Sequence, residues 1–134
     1  MADLEVFVVT PERAVWSGSA EMVIARGTEG EVGILRGHAP MLIRLAVAPI
    51  RIRTAEGEVR AVVDGGFLHV STEDDVTRVD VLADNAQLSE EIDRAAAERD
   101  RVTAEQRLQE DRDDEPARTV LARAEARLAL AEGP

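Results

Sequence analysis

Among its 134 residues the chain has no cysteine, no lysine and no tyrosine, and only one tryptophan and two phenylalanines. Without cysteine there are no disulfide staples and no thiolate metal sites. Without lysine, arginine carries all the positive charge: 16 basic residues face 27 acids, a net charge of -11. A surface this acidic repels phosphate backbones and anionic lipid, which argues against nucleic acid as a partner and against direct lipid insertion. With so few aromatics, the core must be packed by aliphatic side chains. No run of about 18 apolar residues offers a bilayer-spanning helix. The opening Met-Ala-Asp-Leu-Glu lacks the apolar stretch of a signal peptide. These absences predict a soluble, intracellular protein that reaches a membrane only through another protein.

Catalytic groups are equally scarce. The two histidines, His38 in a glycine-flanked bend and His69 in an alternating strand pattern, have no Ser or Cys nucleophile with a signature elbow beside them. Structural roles are expected for both, and no catalytic residue is assigned. Gly27, Gly30 and Gly33 follow a Gly-x-x-Gly-x-x-Gly spacing, which is neither a dinucleotide fingerprint nor a P-loop. Glu29 and Glu31 would also repel phosphate there. The acidic run Asp111-Arg112-Asp113-Asp114-Glu115 lacks the spacing of a calcium loop, so no metal site is expected.

What the chain does have is two contrasting parts. Residues 1–84 hold 24 Val, Ile and Thr and eight of the nine glycines; residues 85–134 hold five Val, Ile and Thr. β-Branched residues suit a pleated, half-buried surface, and glycine punctuates hairpins. Strands are predicted at 4–10, 14–16, 19–26, 31–35, 42–47, 50–54, 59–64, 67–71 and 76–83. Ala55-Glu56-Gly57-Glu58 and Thr72-Glu73-Asp74-Asp75 supply turns, and Gly65-Gly66 a bend. Short strands with turn signals about every 8–12 residues indicate an antiparallel sandwich or barrel, and a β-sandwich of about ten strands is expected. After residue 84 the composition turns to Ala, Glu, Arg and Leu, strong helix formers, and predicts a C-terminal α-helical hairpin. Ser89 is expected to cap its first helix, ending near Glu110; Pro116 should open the second, and Gly133-Pro134 stop it. Ile92, Ala95, Ala96 and Val102 are expected to share one side of the first helix. Leu121, Ala124, Leu128 and Ala131 should share one side of the second. Such short side chains bury little area, so the hairpin should dock weakly.

The most distinctive stretch is residues 27–42, Gly-Thr-Glu-Gly-Glu-Val-Gly-Ile-Leu-Arg-Gly-His-Ala-Pro-Met-Leu. Its glycines at 27, 30, 33 and 37 are read as bends at positive φ that present Glu29 and Glu31 on a stiff hairpin. It resembles the signature loop of the epsilon subunit of F-type ATP synthases, departing mainly at Arg36, where that family has proline. Thr10-Pro11-Glu12-Arg13 with Val15-Trp16-Ser17-Gly18, Asp64-Gly65-Gly66-Phe67-Leu68 and Val81-Leu82-Ala83-Asp84 resemble further motifs of the family, in order along nearly the whole chain.

The resemblance implies a non-catalytic rotor subunit of a proton-transporting ATP synthase, peripheral on the cytoplasmic face of the cell membrane. Its sandwich (residues 1–84) would join the gamma subunit to the c-ring, with Glu29, Gly30, Glu31 and neighbouring His38 at the ring. Its helical arm (residues 85–134) would restrain ATP hydrolysis by reaching the alpha/beta hexamer through Arg118, Arg123 and Arg127. No cofactor is required. Some bacterial members bind ATP in the folded arm. Ile92, Asp93, Arg123 and Arg127 match that motif, whereas Ala96 stands where an arginine belongs, removing a charge-assisted phosphate contact. A competing reading takes the acidic turn at 111–115 as the tip of a helical-hairpin regulator that probes a polymerase channel, resembling transcript-cleavage factors. In those factors, however, the hairpin comes first and a different domain second. A small hydrolase is disfavoured by the missing catalytic constellation.

Overall fold

The computed structural model describes residues 4–131. Alternating aliphatic residues build ten strands: β1 (Leu4–Val9), β2 (Ala14–Ala20), β3 (Met22–Gly27), β4 (Gly30–Leu35), β5 (Met41–Arg44), β6 (Ala48–Thr54), β7 (Gly57–Val63), β8 (Phe67–Glu73), β9 (Val76–Leu82) and β10 (Ala86–Leu88). They form two five-stranded sheets, ordered β2-β1-β9-β8-β5 and β10-β7-β6-β3-β4. All pairings are antiparallel except β1 with β9, which run parallel from Leu4↔Thr77 to Val9↔Leu82. The chain thus closes its first sheet by laying its last long strand beside its first. Between the sheets Leu4, Val6, Val8, Ile34, Ile50, Ile52, Leu68, Val70, Val79 and Val81 are buried. The core is aliphatic, as the scarcity of aromatics requires, and Trp16 packs only on its margin.

Several local expectations differ from the fold. β2 runs unbroken through Gly18 to Ala20, and the break falls at Glu21, where the chain crosses between sheets. Residues 86–88, within the part read as helical, instead pair with β7 as a tenth strand, Ala86↔Val63 to Leu88↔Ala61. Ser89 does not cap a helix. Its hydroxyl donates to Glu90 Oε1 (3.0 Å), and Ser89–Glu91 is a single 3-10 turn. The cap belongs to Asp93, whose carboxylate accepts from the Ala96 amide at 3.0 Å and starts helix α1 (Arg94–Glu110). Helix α2 (Glu115–Ala131) begins just before Pro116, with Asp114 accepting from the Ala117 amide. The expected stop at Gly133-Pro134 and the opening Met1-Ala2-Asp3 lie outside the described residues.

The two helices pack on each other through small residues. Ala97 and Ala104 of α1, seven apart, are buried, as are Ala117, Ala124 and Leu128 of α2. Val102, expected on the α1 inner face, is 41% exposed. A one-residue error in the helical phase is enough, because neighbouring positions differ by 100° on a helix. Helix α2 packs on the sandwich, where Ala126 and Leu130 join Val62 and Ile92 in a small apolar cluster separate from the main core.

Candidate functional site

The β3–β4 hairpin turns at Thr28-Glu29, with Gly27 opposite Gly30. Gly30 has φ +138, as the tight tip requires, and Gly37 has φ +85. Gly27 and Gly33, read above as further bends, are instead extended strand positions. Their missing side chains serve close approach: a Cβ on Gly33 would stand 2.8 Å from Met22 Cε. Thr28 N donates to Arg44 O at 3.0 Å, and Ala46 N to Arg26 O at 3.0 Å. The tip is therefore tied to the opposite sheet, which makes it stiff. Glu29, Gly30 and Glu31 are all exposed, and beside them an open groove of about 390 Å³ is walled by Leu42, Ile43 and Arg44.

His38 is not brought to this tip. It follows the far end of β4, and residues 30–35 at ~3.3 Å per residue put roughly 17 Å of strand between them. An extended strand carries its two ends apart, so closeness in sequence does not bring His38 to the tip. In the His38 loop, the Gly37 amide donates to the buried Thr77 hydroxyl at 2.8 Å, and His38 Nδ1 lies 2.7 Å from the Ala39 carbonyl oxygen.

One face of the sandwich is left uncovered. On the outer side of the first sheet, register places Phe67 beside Leu82 and Arg44, and Leu42 beside His69. Leu42 is 66% exposed, Leu82 51% and Phe67 42%. Arg78 stacks over Phe7 with 4.1 Å to the ring centre, and Arg44 lies 5.7 Å from that of Phe67. Large apolar groups gathered at one end of a sheet mark an interaction surface more often than scattered ones do.

Arg118, Arg123 and Arg127 each have a partner in this docked conformation. Arg118 donates to the Arg112 carbonyl at 3.0 Å and so closes the interhelical turn. Arg123 pairs with Asp64, which follows β7, and Arg127 Nε donates to Gln87 Oε1 of β10 at 2.8 Å. Neither Asp64 nor Gln87 was foreseen, because nothing in a local pattern links residues some 40–60 positions apart. Ile92 sits in the small apolar cluster, and Asp93 is occupied as the α1 cap. In the acidic turn, Asp111 accepts from the Asp113 amide, while Asp114 caps α2 and pairs with Arg107. These acids stabilise the turn itself.

The strap into α1 is fixed by a two-pronged pair: Arg13 from the β1–β2 turn donates to both carboxylate oxygens of Glu91, at 2.9 and 2.7 Å. That bond, with a second from the Leu88 amide, holds the Glu91 carboxyl below its ordinary 4.5. A lowered carboxyl pKa stabilises the folded form above the ordinary value, and the contribution is lost as the pH falls through the lowered one. Docking of the strap is therefore expected to be constant from pH 7 to 5 and to weaken below about 4.5. Amide exchange of 88–92 measured against pH checks this, and a Glu91→Gln variant should show no such step.

Among the described residues no group of His, Asp or Glu is arranged to hold a metal ion, and no helix is long and apolar enough to cross a membrane. The family description "ATP synthase, Delta/Epsilon chain, beta-sandwich domain" matches residues 3–89. A curated relative called ATP synthase epsilon chain, from Brevibacillus brevis, is 47% identical over 111 residues, 82% of this chain and 81% of its own. Another of that name, from Thermobifida fusca, is 45% identical over 132 residues, 96% of this chain and 92% of its own. Among solved structures, one chain of the Euglena gracilis mitochondrial ATP synthase (OSCP/F1/c-ring) superposes with a TM-score of 0.82 at 24% identity. That match covers 99% of this chain and 83% of that one, a likeness of fold.

Proposed function

This chain belongs to the ATP synthase epsilon-chain family, a non-catalytic component of the enzyme, and we propose that it is a central-stalk rotor subunit joining gamma to the c-ring. The observation that carries the proposal is the stiff, exposed Glu29-Gly30-Glu31 tip, tied by the Thr28–Arg44 hydrogen bond to the opposite sheet. A contact that transmits torque needs a rigid projection with charge that complements its partner. Glu29, Gly30 and Glu31 meet the ring in this reading. His38, a strand length away, does not share that contact and is free to meet gamma. The uncovered apolar face around Leu42, Phe67 and Leu82 offers gamma a surface of the apolar, aromatic-containing character that interface cores use. The chain then lies on the cytoplasmic side of the cell membrane and is held there by its partners.

The arm restrains ATP hydrolysis in this proposal by leaving its dock and reaching the alpha/beta hexamer, exposing Arg118, Arg123 and Arg127 as it goes. Its small apolar anchorage, a cluster of four residues that includes Val62, supports that role. The polymerase-channel reading has no comparable support, since the acids of the turn are engaged in capping and pairing.

Co-expression with gamma and the c-ring tests the rotor role. Phe67→Glu combined with Leu42→Arg should weaken recovery of the gamma complex by roughly ten-fold or more, ~1.4 kcal/mol. Glu29→Arg with Glu31→Arg should leave gamma binding intact and lower proton-driven ATP synthesis. A chain that stays monomeric with gamma and the ring present would defeat the proposal.

A further inference from the structure

Beside its small apolar cluster, the docked arm is joined to the sandwich by polar contacts around the end of β7. Arg123 Nε stands 2.5 Å from Asp64 Oδ2, and the Asp64 side chain is only 13% exposed. That nitrogen is buried and forms no aligned hydrogen bond, so charge attraction rather than a directed bond holds the pair. One helical turn on, Arg127 reaches Gln87. The two acceptors are parts of one corner, because the Asp64 amide donates to the Asn85 carbonyl at 2.9 Å, just before β10.

The same corner bears on nucleotide binding. The cleft between the start of α1 and this edge of the sandwich is walled by Asn85, Gln87, Asp93, Ala96, Asp100 and Arg127 and encloses about 170 Å³. That is smaller than the ~300–1,000 Å³ usual for ligand pockets. It sets two carboxylates against a single guanidinium. Arg123 is not among its walls and already faces Asp64. These residues do not fit a triphosphate: Ala96 offers no donor, Asp93 and Asp100 repel the phosphates, and Arg127 stands alone.

We propose that Asp64 is a built-in counter-anion that clamps α2 to the sandwich, so that this chain retains its arm by an internal ion pair and without nucleotide. The effect on hydrolysis rests on the regulatory-arm reading above; the clamp itself does not. An anion supplied covalently by β7 is always present, so arm release is set by the Arg123–Asp64 equilibrium and by ionic strength rather than by nucleotide concentration.

Hydrogen exchange on the intact chain tests the clamp. Asp64→Asn keeps the size of the side chain and removes its charge. The amides of α2 should then exchange roughly three- to five-fold faster, the scale of a partly exposed ion pair acting through local opening. Amides of β6, β8 and β9 should be unchanged, and millimolar ATP should alter neither protein. Arg123→Gln, which touches no strand backbone, should give the same acceleration and guards against local damage around Asp64. Unchanged α2 exchange in Arg123→Gln, or slowed α2 exchange when ATP is added to the parent chain, would overturn the clamp. ATP hydrolysis by the assembled enzyme separates the two ideas. If removing the whole arm leaves hydrolysis unaltered, the regulatory reading falls while the exchange result stands.

Discussion

Replacing Gly66 by alanine is expected to be the most damaging single methyl that this sandwich can receive. Gly66 has φ +99, a region L-residues avoid. An added Cβ would stand 2.1 Å from the Leu82 carbonyl oxygen, 2.7 Å from Ala83 Cα and 3.0 Å from Leu82 C. All three are backbone atoms of the β9 end, so no side chain can rotate away to make room. The Gly66 carbonyl also accepts from the Leu45 amide at 2.9 Å, so shifting the bend strains the β5–β6 crossing as well. Backbone strain of ~1–3 kcal/mol and overpacking of ~1–3 kcal/mol together cost about 2–6 kcal/mol. Against a total of ~5–15 kcal/mol, that leaves a marginal fold. Urea unfolding followed by circular dichroism measures it. Gly37→Ala is the matched control: its φ is +85, but no atom lies within 4 Å of the added methyl. Its cost should stay near 1–2 kcal/mol, from strain alone. Equal losses for the two variants would show that the close approach at Leu82 contributes nothing.

Truncation after Ser89 should leave the sandwich folded and raise ATP hydrolysis by the assembled enzyme. The large core is made entirely of side chains up to Ala86, with Leu88 at its margin, so the only apolar cluster the sandwich loses on truncation is the small one at Val62, along with the polar contacts of Arg13, Asp64 and Gln87 to the arm. The gain in hydrolysis is bounded by how much of the enzyme the arm blocks: half blocked gives about two-fold, nine-tenths gives about ten-fold. Recovery of the gamma complex should be the same with and without the arm. Unaltered hydrolysis with intact assembly would remove the inhibitory role and leave the rotor role in place.

Gly65-Gly66 stood out as a bend between two apolar runs, and Asp74-Asp75 as a turn. The structure gives that aspartate pair φ values of +52 and +63, a two-residue hairpin in which short polar side chains tolerate the left-handed region. The Glu29–Glu31 tip was equally plain, since glycines flanked by alternating aliphatics leave few ways to turn. The start of α1 was misplaced because Ser89 and Asp93 are both good caps, and β10 claims the residues just before Ser89. The separation of His38 from the tip has a simpler reason: eight residues in the chain are not proximity when six of them form a strand.

The chain's composition and periodicity were enough to decide that it has an aliphatic sandwich followed by a helical hairpin. They act locally: side chains alternate every two residues on a strand, glycine opens a turn, and alanine with arginine and glutamate favours a helix. Tertiary structure alone decided that β9 lies parallel to β1, that Arg13 grips Glu91, and that Asp64 rather than a neighbouring glutamate meets Arg123. Those contacts join residues far apart in sequence. Their partners are selected by which sheet edges and helix faces arrive together, and no short-range pattern encodes that arrival.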